Sequence, residues 1–85
     1  MATRSPVFAV TNTAYTKIGD NVTSLSAADS SGETFLIVVV DVGDDAPLVG
    51  EANRTTVRGL YQRNSDAVDI YARSTDASGI IQVQL

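Results

Sequence analysis

Residues 35–40 read Phe-Leu-Ile-Val-Val-Val, the longest apolar run in the chain. It is far too short to cross a bilayer, and its β-branched content makes it a strand, predicted from Phe35 to Val42. Successive strand side chains point to opposite faces. Phe35, Ile37 and Val39 therefore share one face and Leu36, Val38, Val40 and Val42 the other, so both sides call for cover. In a two-sheet sandwich only one side of a strand meets the core. The second side then needs either the chain's own N-terminal segment or a loop, or a neighbouring subunit, since an exposed patch of that size marks an interface.

The rest of the chain uses the same vocabulary: short runs of Val, Ile, Thr and Tyr divided by Gly, Asn, Asp and Ser clusters. Strands are predicted at Val7–Val10, Ala14–Ile18, Val22–Ser26, Phe35–Val42, Thr55–Tyr61, Val68–Arg73 and Ile80–Leu85, with turns or loops at "GDN", "AADSSGE", "GDDAP" and "QRNSD". The only helical rival is one turn at Leu48–Asn53. About seven short strands at roughly ten-residue spacing, with no segment long enough for a crossover helix, predict one all-β domain over residues 1–85. The expected architecture is a small antiparallel β-sandwich, jelly-roll-like or Ig-like. In the last strand Ile81, Val83 and Leu85 alternate with Gln82 and Gln84, the signature of a half-buried, sheet-paired strand.

A chain of 85 residues buries only about 60% of its unfolded surface, and small domains compensate with disulfides, metals or self-association. The absence of Cys and His excludes disulfides and Cys- or His-based zinc sites, which leaves association. Six basic against ten acidic residues, net charge −4, offer no basic patch to phosphates and disfavour nucleic acid. "MATRSPVFAVTNT" lacks the apolar centre of a secretion signal. The expectation is a soluble protein made in a cytosol, with no membrane partner.

Few residues suggest chemistry. A nucleophilic hydrolase would need Lys17, the only lysine, or a carboxylate as its base. No phosphate loop or nucleophile elbow is present, so the reading is a non-enzyme without a cofactor, and Lys17 a solvated strand lysine. Asp41, Asp44 and Asp45 could offer oxygens to calcium, but their spacing fits no EF-hand loop and Asp is at home in turns. Asn21 and Asn53 sit in glycosylation sequons and are read as turn residues. Asp69, Tyr71 and Arg73 share the predicted solvent face of one strand. They fit either an interface anchor or a cross-strand charged pair beneath a tyrosine. With Leu36, Val38 and Val40 they form the candidate subunit contact.

The stretch "DIYARSTDASGIIQVQL" and, upstream, "YTKIGDNVTSLSAADSSGETFLIVVVDVGDDAP" resemble a pattern in small bacteriophage virion proteins. There a "YT" opening leads through a weak strand to a strong one and a loop bearing "AP", and the chain closes on a "vYARSt" strand, a Gly turn and a short final strand. The resemblance implies a β-sandwich subunit of a virion, most simply a capsid decoration or cement protein, associating with capsid proteins and with its own copies as a dimer or trimer. A fibre, tail or head-to-tail component is the alternative, and a carbohydrate-binding module the rival from another class. The chain departs from that pattern in the longer polar stretch "VGEANRTT", residues 49–56.

Overall fold

The computed structural model describes residues 7–30, 34–51, 53–76 and 78–84. Six strands appear: β1 (Val7–Thr11), β2 (Thr16–Asp29), β3 (Thr34–Val40), β4 (Thr55–Arg58), β5 (Leu60–Ser74) and β6 (Ser78–Gln84). All pair antiparallel in one sheet of order β1-β6-β2-β5-β3-β4. There is no helix among the described residues. At Leu48 the chain makes only a turn, with the Glu51 N–H donating to the Leu48 carbonyl at 3.0 Å.

The all-β expectation stands, but the strand divisions change. Ala14–Ile18 and Val22–Ser26 belong to one strand, β2, which also absorbs the first residues of "AADSSGE". "QRNSD" lies inside β5 rather than between strands. The turn-forming residues here build bulges. Between Ile70 and Val68 of β5, the partner strand β2 advances from Gly19 to Val22. Beyond that, β5 runs from Val68 to Asn64 while β2 moves only from Val22 to Ser24. Asn21 takes φ 53°, a left-handed conformation Asn tolerates. A Cβ on Gly19 would lie 2.9 Å from methyl groups of both Leu25 and Val22, so a larger residue where the strand bends would have to displace them. Gly59, at φ 100°, makes the corner that moves the chain from β4, beside β3, to β5, beside β2.

These irregularities curl the β2–β5 ribbon. β6 and β1 flank the C-terminal half of β2, and β3 and β4 flank the C-terminal half of β5. Two further bonds extend existing ladders by one step: Ser30 N–H donates to the Ile80 carbonyl at 2.9 Å beyond the β2–β6 pairing, and Thr75 Oγ1 donates to the Thr34 carbonyl at 2.9 Å beyond the β3–β5 pairing. The inner face holds the main core, with Phe35 and Ile37 from β3, Leu25 and Ala27 from β2, Ile70 and Ala72 from β5, and Ile81 and Val83 from β6. The final strand alternates as predicted, with Ile81 and Val83 buried and Gln82 and Gln84 exposed. Lying between β1 and β2, it is interior to the sheet. Leu85 lies outside the described residues.

Candidate functional site

Register brings the two groups of candidate contact residues together. Leu36 pairs with Arg73, Val38 with Tyr71 and Val40 with Asp69, while Lys17 of β2 pairs with Tyr71 from the other side. All project from the outer face. Alternation thus assigned their direction correctly, but the predicted solvent face is largely covered. Leu36, Val38 and Tyr71 join Tyr15 in a second buried cluster, with Val40 packed against it. The apolar second face of β3 is therefore covered from within the chain, by Tyr71 and by Tyr15 from the β1–β2 connection.

Asp69 departs furthest from the expectation: it is 0% exposed. Its Oδ1 accepts the Asn21 N–H at 2.8 Å, and its Oδ2 accepts the Gly43 N–H at 3.0 Å and meets Lys17 Nζ at 3.3 Å. A buried carboxylate demands such partners. These backbone donors, Asn21 then Gly43, hold its pKa below the ordinary 3.8, with Lys17 adding to them against the opposing effect of burial. The hydrogen bond to Asp69 in turn raises Lys17 above 10.5. The carboxylate thus ties two other pieces of chain to β5: β2, through the bulge at Asn21 and through Lys17, and the start of the β3–β4 loop at Gly43.

Lys17 is accordingly a structural partner and not merely a solvated lysine, although its side chain remains 38% exposed and reaches Asp20 at 3.7 Å. It also lies 5.7 Å from the Tyr71 ring centroid. Arg73, half-buried, sits 5.4 Å from the Tyr15 ring and donates from a terminal guanidinium nitrogen to the Asn12 carbonyl at 3.0 Å. Both contacts fall within cation–π range. No sequence signal pairs Lys17 with Asp69, because 52 positions separate them and only the register joins them.

Asp41, Asp44 and Asp45 are all exposed, and the Asp44 N–H donates to the Asp41 carbonyl at 3.0 Å, which is turn geometry. Among the described residues no group of three or more acidic side chains is arranged to hold a metal ion. Asn21 serves the bulge, and the Asn53 N–H donates to Glu51 Oε1 at 3.0 Å.

The other half of the ribbon has an open outer face. Register lines up Val7, Gln82, Ala28 and Leu60 in one row across four strands, and Gln84, Ser26 and Gln62 in the next. Ala28 and Ser26 of β2 are small while Val7 and Leu60 at the margins are large, and the face forms a groove of about 290 Å³. It continues along Ser24 and Asn64. Val7 and Leu60 form its walls, each 57% exposed. Further aliphatic side chains stand out at Val42, Leu48, Val49 and Ile80, Leu48 the most at 82% exposed.

No family model, curated protein or solved structure matches this chain.

Proposed function

We propose that this chain is a non-catalytic structural subunit of a bacteriophage virion, acting as a capsid decoration or cement protein that binds capsid proteins and copies of itself. The observation that carries the binding role is its exposed aliphatic surface. Val7, Leu48, Val49 and Leu60 stay in contact with water on a domain too small to leave such burial unused. On a repeating lattice even weak contacts of this kind add through multivalency. The virion setting rests on the resemblance of the "YARST" strand and the strong strand before the "AP" loop. On this reading the wings of the curled sheet, β1 with β6 and β3 with β4, act as the two layers of a sandwich. A fibre, tail or head-to-tail position would use the same surfaces.

Mass spectrometry of density-purified particles of the encoding phage tests the proposal. The chain should be present in a copy number that is a lattice multiple, and its absence from complete particles would end the reading.

The groove favours a second reading, a carbohydrate-binding module. Gln62, Gln82, Gln84 and Ser26 present amides and a hydroxyl without any charge, chemistry that suits a neutral sugar. A glycan array should then show binding that Gln82→Ala removes, and a blank array dismisses it.

A further inference from the structure

A strand at the edge of a sheet turns half of its N–H and C=O groups outward, a template for another strand unless charge, bulges or brevity blunt it. Because β6 flanks only the end of β2 and β3 only the end of β5, four edges are left among the described residues. Three of them are blunted. β4 has only four residues and ends on exposed Arg58 and the Gly59 corner. The first half of β2 carries Lys17 and Asp20 and bulges between Gly19 and Val22. The first half of β5 carries Asp66 and the inward-facing Arg63, which pairs with Leu25, and its register shifts as well. β1 is the exception. It lies last in the sheet, pairs with β6 without a register shift, and reads Val-Phe-Ala-Val-Thr. Neither it nor β6 behind it contains a charged residue.

The length of this edge is limited at both ends. Pro6 precedes it in the sequence and has no N–H to extend a ladder. Behind it, Thr11 Oγ1 accepts the Thr13 N–H at 3.4 Å and lies 3.0 Å from Thr13 Oγ1, where the chain bends. Such an edge accepts an uncharged extended segment with the same alternation, and the chain itself supplies one. Against a second β1 running antiparallel, only a register centred on Ala9 pairs all five residues: Ala9 with Ala9, Phe8 with Val10, Val7 with Thr11. Phe8 and Val10 belong to the inner core while Val7, Ala9 and Thr11 are exposed, so this register matches face to face. A slip by one residue would set inner against outer side chains, and a slip by two would leave strand ends unpaired. Phe8, half-buried at the rim of the core, gains the second copy's Val10 beside it. On a chain of net charge −4, a second copy meets least repulsion where the two outermost strands are both uncharged, as β1 and β6 are.

We propose that two copies join edge to edge through a two-fold, antiparallel β1–β1 pairing that continues the six-stranded sheet from one chain into the other. The inference rests on the self-association in the function proposed above and names the strand that carries it. Each copy offers the same patch, so the assembly closes at the dimer. Five residues a side are few against the about 20–30 of a stable interface. The pairing is therefore weak between free copies and gains strength where a lattice holds them side by side.

Residue 9 faces its own copy across the two-fold axis, so a charge placed there tests the register. Multi-angle light scattering of the parent should show a mean mass that rises with concentration up to about 1 mM, as a weak contact requires, approaching twice the chain mass and not passing it. Ala9→Lys and Ala9→Glu, at an exposed position, should each remain monomeric, because like charges then stand directly opposite. Their equal mixture should form the dimer, since the charges now attract. A parent monomeric throughout, growth past the dimer, variants that associate as the parent does, or a mixture that stays monomeric overturns the pairing. If either variant melts below the parent, the parent itself decides. An equal mixture of isotope-labelled and unlabelled chains should give a filtered NOE between Phe8 of one copy and Val10 of the other, and its absence from a dimer-containing sample overturns the register. Presence of the chain in purified virions is read separately, so a failed contact and a failed virion assignment are distinguishable.

Discussion

The two halves of the β2–β5 ribbon share strands, alternation and a common inner core, yet their outer faces end differently. Where β5 runs beside β3, the outer face carries Tyr71, Val38 and Leu36 beneath Tyr15, with Asp69 buried among backbone donors. Where β2 runs beside β6, it carries Ser26 between Gln84 and Gln62, and Ala28 between Gln82 and Leu60. The bulge at Gly19–Val22 separates the two regimes. A closed outer face needs long apolar side chains plus a segment returning over them, and among the described residues the second half has only Val7 and Leu60 at its margins and no segment over them. The difference assigns stability to the first half and leaves the outer face of the second open.

Val38→Asp is the largest test of that division. Val38 is only 2% exposed, so the new carboxylate would be buried without a partner, a loss of about 4 kcal/mol or more. That is comparable to the whole stability of a small domain. Circular dichroism should show an unfolded chain. A folded, monomeric variant would instead restore the view that this face meets a neighbouring subunit.

Asp69 tests the same half through pH. Its pKa is lower in the folded chain than the ordinary 3.8, so it stabilises the fold above that pH, and the contribution disappears as pH falls through the lowered value. Lys17, raised above 10.5, contributes below that pH and loses its contribution as pH rises through the raised value. The pair is therefore constant between 3.8 and 10.5. Asp69→Asn should lower Tm across that window, because the amide turns an acceptor toward Gly43 N–H or Lys17 into a donor. It should also flatten the fall in Tm on acidification. An unchanged acid limb would remove Asp69 as the tie between bulge and loop.

Tyr71→Ala comes next. Tyr71 is 6% exposed and packs against Val38, so truncation should cost about 3 kcal/mol of stability, the scale of a buried aromatic replaced by Ala. Thermal melts check this. A Tm within a degree or two of the parent would mean that Tyr71 is an external anchor, as its place in an alternating strand first suggests.

What could be read from the chain beforehand follows the range of each interaction. The two-sided demand of Phe35–Val40 and the alternation of Ile81 to Gln84 depend only on a two-residue period, and both appear as expected. The outward direction of Asp69 and Tyr71 was equally legible. Their burial was not, because it depends on Tyr15, Asn21 and Gly43, which the fold brings from other segments. Gly19, Asn21 and the "QRNSD" stretch misled for a related reason: residues that tolerate turns also tolerate bulges. Only the pairing partner decides whether the strand ends or bends.

Gln82→Ala makes the smallest expected change and sharpens the comparison from the open side. Gln82 lies at the centre of the row from Val7 to Leu60, exposed and pointing away from the core. Its strand is interior to the sheet, so the backbone pairing does not depend on the side chain. Removing an exposed amide there should shift stability by no more than about 0.5 kcal/mol, while changing the middle of the groove. Equilibrium urea unfolding gives the first quantity and light scattering the second. Near-parental stability with altered association is the result expected of a recognition surface. A loss as large as that of Tyr71→Ala would instead mean that the outer face of β6 supports the fold as the outer face of β5 does, and the two halves would no longer differ in role.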